Sequence, residues 1–124
     1  MNSDDAAAMH DEIRAKLLLS DDDLLAEVGQ SLGKGATFTD AIKRGRHVLE
    51  NLKRELRDKV CSNSKVILCY KGAKEDGVQA VAAIIDAIAG ALHGIPPATI
   101  AILLYRTGLT KYCGTGWPEA GTKK

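Results

Sequence analysis

The side chains best suited to catalysis or metal binding in this sequence are three cysteines and three histidines, and their spacing supports neither role. They are Cys61, Cys69 and Cys113, and His10, His47 and His93. The histidines fall in three different predicted elements, and none stands at a metal-ligand spacing from another histidine or from a cysteine. No local signature marks a Cys–His nucleophile, and no pair of carboxylates suggests acid–base chemistry. We therefore predict no catalytic residue, no metal site and no cofactor.

A glycine-containing segment at residues 29–34 resembles a phosphate-binding loop only in outline. It has three residues between its glycines where such a loop has four, and Gly35 stands where a serine or threonine would bind magnesium. A predicted helix, rather than a strand, precedes it. Glycines that end a helix explain Gly33 and Gly35 better than nucleotide binding does.

Acidic residues are concentrated in the first thirty positions, which contain eight Asp or Glu and two Lys or Arg. Asp21, Asp22 and Asp23 directly follow Ser20, and this order suits an N-cap followed by anions in the first turn of a helix. The rest of the chain is mildly basic. Two interpretations remain open: the acidic and basic surfaces attract each other within one molecule, or the acidic segment contacts or masks a basic binding surface.

The predicted helix over residues 38–60 has a charged outer face, with seven cations and three anions in residues 43–59. The candidate interaction residues on this face are Lys43, Arg44, Arg46 and Arg54. Such a face can be merely solvated, or it can contact an acidic protein or a nucleic acid. The nucleic-acid alternative is the weaker one, because Asn51 is the only amide in this stretch and aromatic residues make up 4% of the chain.

Asp86 interrupts an otherwise apolar predicted helix and is a further candidate interaction residue. Its neighbours three and four positions away are alanines and a glycine, which allow another helix to approach closely. A carboxylate buried in such a place is costly unless it is paired or hydrogen-bonded. Its partner is then a Lys, an Arg or a helix end of the same chain, or a cation that a bound molecule supplies across an interface.

Helical periodicity dominates the sequence, and strand alternation is nearly absent. The spacing of apolar residues predicts helices over residues 4–19, 21–32, 38–60, 76–92 and 97–112. The clearest pattern is an apolar seam on the third helix, at Phe38, Ile42, Gly45, Leu49, Leu52, Leu56 and Val60. Residues 65–70 contain β-forming residues without a partner strand, and we interpret them as a short helix.

The two apolar helices within residues 78–109 form a predicted hairpin that has two possible uses. Its arms are about 22 and 24 Å long at roughly 1.5 Å per residue, whereas a bilayer core is about 30 Å thick. Asp86 and Arg106 also interrupt the apolar surface. A hairpin buried in a helical bundle is therefore favoured over one that inserts into a membrane.

Length and composition indicate one ordinary soluble domain. The chain has 124 residues and a mass of 13.2 kDa, is 45% hydrophobic and 27% charged, and has a net charge of +1. We expect a helical domain over residues 1–113 and a flexible tail over residues 114–124.

The first residues lack the basic region of a secretory signal, and three cysteines are too few for a disulfide framework. Both observations favour a cytoplasmic protein, with Cys61 and Cys69 packed as small apolar groups.

Together these patterns predict an all-α fold, a compact bundle of five or six helices with the apolar helix over residues 76–92 at its centre. The predicted function is a non-enzymatic protein–protein interaction module, such as an adaptor, assembly or regulatory subunit of a bacterial signalling or defence complex. Its interaction residues would be the acidic run, the basic face and Asp86, acting on a protein partner or on a second copy. The alternatives are a membrane-active effector that uses the 78–109 hairpin, and nucleic-acid binding through the basic face of helix 38–60.

Overall fold

The computed structural model describes residues 3–33, 37–71 and 77–114. Within these residues the chain forms seven α-helices, one short 3-10 helix at Ala89–Ala91 and no strand. The α-helices are α1 (Ser3–Lys16), α2 (Asp21–Ser31), α3 (Phe38–Cys61), α4 (Ser64–Lys71), α5 (Val78–Ile88), α6 (Pro97–Thr107) and α7 (Leu109–Cys113). The prediction of an all-α bundle is confirmed, with more helices than the five or six expected.

Side-chain caps begin the second, third and fourth helices where the sequence places turn residues. The Ser20 hydroxyl accepts a hydrogen bond from the Asp23 amide, and the Asp23 carboxylate accepts one from the Ser20 amide. The Thr37 hydroxyl accepts the amide of Asp40 at the start of α3. The Asn63 side chain accepts the amide of Val66, and residues 65–70 are helical as predicted.

Three predicted helices end earlier than their apolar patterns suggest. Helix α1 stops at Lys16, and α5 stops at Ile88, where a 3-10 turn continues the chain. The predicted helix over 97–112 is divided into α6 and α7 at Gly108, whose φ of 93° lies outside the helical region. This break turns α7 toward the C-terminal end of α3.

Helices α5 and α6 form the centre of the bundle. Helix α5 packs against α1, α3, α4 and α6, and α6 packs against α1, α2, α5 and α7. The largest side chains that these two helices bury completely are Ile84, Ile88, Ile100 and Ile102. The predicted apolar hairpin is therefore the core of the bundle. No helix in the described ranges combines the length and the apolarity that crossing a bilayer requires.

The buried stripe on α3 differs from the predicted seam in its first half. Gly45 is buried as predicted, but its buried neighbours are Ala41 and Val48, whereas Phe38 is 51% exposed and Ile42 is only half-buried. Helix α2 lies so close to this half of α3 that small residues must face it. Because apolar periodicity gives most weight to large side chains, it favours Phe38 and Ile42 over the smaller Ala41.

A disulfide joins Cys61 at the end of α3 to Cys113 at the end of α7. The two Cα atoms are 5.6 Å apart, although the residues are 52 positions apart in sequence. The expectation that Cys61 packs as a free apolar thiol was wrong, because the break at Gly108 returns α7 to α3. Cys69 is the free cysteine and packs against the core as predicted. With two of its three cysteines bridged, the chain's cysteine usage does not favour a reducing compartment.

The predicted flexible tail lies outside the described residues, apart from Gly114. The core to which α1–α7 contribute is continuous, and the candidate surfaces below lie on its outside.

Candidate functional site

The acidic run at the start of α2 is engaged within the chain. Asp21 pairs with Arg106 of α6 at 2.9 Å, and Asp22 pairs with Arg46 of α3 at 3.8 Å. Asp23 completes the capping box described above. These contacts match the first of the two interpretations of the charge asymmetry, in which the opposite charges attract each other inside one molecule.

Arg106 interrupts the apolar surface of its helix, and it connects three parts of the bundle. Its second guanidinium nitrogen donates to the carbonyl of Leu17 at 2.7 Å, in the turn between α1 and α2. The Arg106 side chain is 26% exposed and its contact with Leu17 is partly buried, whereas Asp21 is exposed. Arg106 therefore fixes the α1–α2 connection on α6, a role that no local sequence signal indicates.

A second polar cluster joins α1, α2 and α6 near the core. The Glu27 carboxylate receives the Lys16 ammonium at 2.8 Å and the Thr99 hydroxyl at 2.7 Å on the same oxygen. Thr99 is fully buried, and Lys16 and Glu27 are largely shielded. Since its three side chains come from three different helices, the cluster holds α1, α2 and α6 in register.

Asp86 is exposed, which corrects the expectation of a buried carboxylate. Its side chain is 53% exposed and lies 3.6 Å from the ammonium of Lys65 on α4. The intramolecular Lys partner was among the predicted alternatives. Because α5 presents Asp86 to solvent between its buried stripes, the carboxylate avoids the desolvation cost, and the exposed pair contributes little to stability.

The basic face of α3 is the charged surface that internal contacts leave largely available. Cations at positions three or four apart lie on one side of a helix, and on α3 these are Lys43, Arg46, Lys53, Arg54 and Arg57. All five are exposed. Among the described residues, Arg46 is the only one of them that forms an ion pair.

The candidate Arg44 lies away from this face. Its guanidinium is directed toward the carbonyl of Gly33, at 3.5 Å, at the end of α2. Lys53 and Arg57 belong to the face, although the sequence analysis includes them only in its charge and not among the candidate residues. Their spacing from Arg46 and from each other was the signal that could have identified them.

A cleft of about 210 Å³ borders the middle of the basic face. Its apolar wall comes from three helices, because α6 and α7 pack beside α3. The lining residues are Leu49, Glu50, Lys53, Leu103, Leu104, Thr107 and Tyr112. The residues from α6 and α7 could not be found from the sequence, since nothing local places them against α3.

Tyr112 forms the α7 side of this cleft. Its hydroxyl donates to the Lys53 carbonyl at 3.1 Å. Burial raises the pKa of Tyr112 to about 12, against a smaller lowering by Arg57, and Glu50 adds to the rise. The phenol is therefore neutral at physiological pH and acts as a hydrogen-bond donor that holds α7 on α3.

A second cleft, of about 300 Å³, lies beside the C-terminal end of the basic face. It is lined by Arg54, Arg57, Asp58, Cys61 and Cys113. Two guanidinium groups and one carboxylate thus share a solvent-open cleft with the disulfide. Anions are the ligands that this set of side chains favours.

Within the described part of the chain, no group of three or more His, Cys, Asp or Glu side chains could hold a metal ion. The basic face of α3 places cations beside an apolar cleft, and this combination is typical of a binding surface. Comparisons of the chain with protein-family models, with curated proteins and with solved structures find no match. Its function is therefore inferred from its own residues.

Proposed function

We propose that the protein is a non-enzymatic interaction module that binds an acidic segment of a partner protein along the basic face of α3. The observation that carries the proposal is the availability of Lys43, Lys53, Arg54 and Arg57, which are exposed on one face and form no ion pair with any described residue. Complementary charge steers such partners together and selects among them.

A partner protein is favoured over a second copy of the chain. Self-association through opposite charges would require the acidic run of one molecule to meet the basic face of another. Asp21 and Asp22 already pair with arginines of their own chain, and Asp23 caps α2. A second copy would have to break these contacts before it could use them.

The cleft beside Lys53 supplies an apolar anchor for the same partner. Its volume of about 210 Å³ is below the roughly 300–1,000 Å³ that is usual for small-molecule sites. Leu49, Leu103 and Leu104 line it, and its volume suits one large aliphatic side chain. Binding energy at protein interfaces concentrates in such buried anchors, with charged pairs at the rim. The proposed partner segment thus combines carboxylates with an aliphatic side chain.

A role in membrane insertion has less support. Ile84, Ile88 and Ile102, which an inserting hairpin would present to lipid, are fully buried in the core. Nucleic-acid binding would use the same basic face as the proposed partner, and the test below distinguishes the two.

The test uses a fluorescently labelled peptide of glutamates with a leucine at every fourth position, and measures its binding by anisotropy. The site variant K53E/R54E/R57E should bind at least about tenfold more weakly, because three exposed ion pairs of roughly 0.5 kcal/mol each are lost. The matched control R14E/K59E/K71E has the same net charge, changes exposed positions outside the clefts, and should bind like the wild type.

Two further arms test the anchor and the class of partner. Thr107→Met should partly fill the apolar cleft and reduce binding to the level of a peptide in which serines replace the leucines. A labelled DNA duplex should bind more weakly than the peptide at equal salt. Equal peptide binding by the site and control variants would refute the proposal. If the duplex binds more tightly than the peptide and the site variant loses this binding, the proposed function is nucleic-acid binding instead.

A cytoplasmic setting is part of this proposal. It requires cellular thiols to open the Cys61–Cys113 bond, because disulfides rarely persist in a reducing compartment.

A further inference from the structure

The Cys61–Cys113 disulfide is accessible from solvent and lies among positive charges. Both cysteines are only half-buried, and both line the cleft of about 300 Å³ at the end of α3. Arg54 and Arg57 line the same cleft, and Asp58 is the one acidic residue among its described lining residues. A disulfide exchanges with thiols when an attacking thiolate can reach it and when the leaving thiolate is stabilised. This cleft meets both conditions.

We propose that this cleft is an exchange site for an anionic low-molecular-weight thiol of the glutathione class, and that the disulfide is a reversible clip between α3 and α7. The proposal does not depend on the identity of the protein partner. Carboxylates of the thiol bind the guanidinium groups of Arg54 and Arg57, which brings its sulfur to the disulfide.

The exchange proceeds in two balanced steps. The incoming thiolate attacks one protein sulfur, the S–S bond breaks, and its electron pair leaves on the other protein sulfur as a thiolate. A second small thiolate then attacks the small-molecule sulfur of the mixed disulfide and releases the second protein thiolate. Two small thiols are oxidised to their disulfide, and the protein disulfide is reduced to two cysteines, which take up protons from water. The reverse sequence, driven by the oxidised small molecule, closes the clip again.

Arg54 and Arg57 act in both steps, because a nearby cation lowers the pKa of a thiol and so makes it a better leaving group. The nearby cations matter more for Cys61 than for Cys113. Cys61 is the last residue of α3, where the helix dipole disfavours an anion. The Asp58 carboxylate opposes the two arginines, which leaves the cleft with one excess positive charge.

Opening the clip releases the end of α7 without removing its other attachments. Leu109 stays buried and donates its amide to the Tyr70 hydroxyl at 3.0 Å, and Tyr112 still donates to the Lys53 carbonyl. The exchange therefore acts on a folded protein. Tyr112 of α7 also forms one side of the apolar cleft. The redox state of the clip therefore affects the surface proposed to bind the partner.

The test measures the rate at which thiols of different charge reduce the disulfide in a Cys69→Ser background, which removes the free thiol. Glutathione is the anionic probe, and 2-mercaptoethanol is the neutral one. The measured quantity is the glutathione rate divided by the 2-mercaptoethanol rate. This ratio cancels the leaving-group effect that both thiols share. In R54Q/R57Q this ratio should fall about fivefold, and added salt should lower it in the wild type, because exposed charges are screened.

The matched control R14Q/K71Q removes two exposed cations outside both clefts, and it should keep the wild-type ratio. Mass spectrometry should detect a glutathione adduct on Cys61 or Cys113 while circular dichroism remains that of a folded helical protein. An unchanged ratio in R54Q/R57Q would overturn the docking role of the arginines. Reduction that occurs only in denaturant would overturn the exchange site altogether.

Discussion

Gly45 of α3 lies directly against the backbone of Leu25 in α2, and a Cβ at position 45 would overlap the Leu25 carbonyl oxygen. Gly29 of α2 meets the backbone of Ala41 on α3 in the same way. Two glycines, one on each helix, thus allow the backbones of α2 and α3 to approach closely. This packing directs the basic face of α3 away from α2 and toward solvent.

Gly45→Ala should therefore destabilise the protein by about 1–3 kcal/mol, because the added methyl group forces two helix backbones apart. Gly90→Ala is the matched control, since its Cβ meets nothing within 4 Å, and it should change stability by less than about 0.5 kcal/mol. Urea denaturation followed by circular dichroism measures both. Equal midpoints for the two variants would show that α2 and α3 are less closely packed than described.

Thr99→Val should cost about 1.5–3 kcal/mol, because a buried hydroxyl that donates to the charged Glu27 is lost. The comparison is Thr107→Val, an exposed position whose hydroxyl donates to a backbone carbonyl of its own helix. That change should cost less than about 0.5 kcal/mol. A double-mutant cycle with Glu27→Gln should show coupling to Thr99 and none to Thr107.

Cys113→Ser should lower the free energy of unfolding by about 4 kcal/mol, the chain-entropy value for a loop of this length, since the bridged residues are 52 positions apart. Cys69→Ser provides the control, because Cys69 is not bridged, and it should lose much less. The measurement is denaturant unfolding without reductant. Reduction should bring the wild type to the level of Cys113→Ser, and a failure to converge would contradict the disulfide assignment.

Tyr112→Phe should lower stability at neutral pH by about 0.5–1.5 kcal/mol, because the hydrogen bond to the Lys53 carbonyl is lost. The difference should shrink as the pH rises from 10.0 to about 12. In that window the unfolded chain releases the phenolic proton while the folded chain retains it, so wild-type stability falls with pH. Spectrophotometric titration should show one tyrosine in the wild type that ionises at unusually high pH, and the variant should lack it. A constant difference across the window would mean that the Tyr112 pKa is not raised.

Local features of the sequence were sufficient to predict most of the secondary structure. The caps at Ser20 and Thr37 and the helical state of residues 65–70 depend on hydrogen bonds between residues a few positions apart. The burial of the 78–109 hairpin followed from its nearly complete apolar surface. These properties are local or compositional, and a single chain displays them without reference to its neighbours.

The candidate site was only partly predictable, because it depends on contacts between residues that are distant in sequence. The charge of α3 was evident, but which of its cations remain available depends on which acidic residues reach them. Asp22 pairs with Arg46, whereas Asp21 pairs with Arg106, which is 85 positions away. The cleft needs Leu103 and Tyr112 beside Leu49, and that juxtaposition follows from the packing of α6 and α7.

The helical character of the chain, the start of most helices and the burial of the apolar side of the 78–109 hairpin were all evident from the sequence. Periodicity and capping specify how each helix forms and which side of it is apolar. The bond between Cys61 and Cys113, the exposure of Asp86 and the contact of α2 with α3 through Gly29 and Gly45 follow from tertiary packing alone. Such pairings depend on which helix faces which, and this choice is made by packing between residues that are distant in sequence.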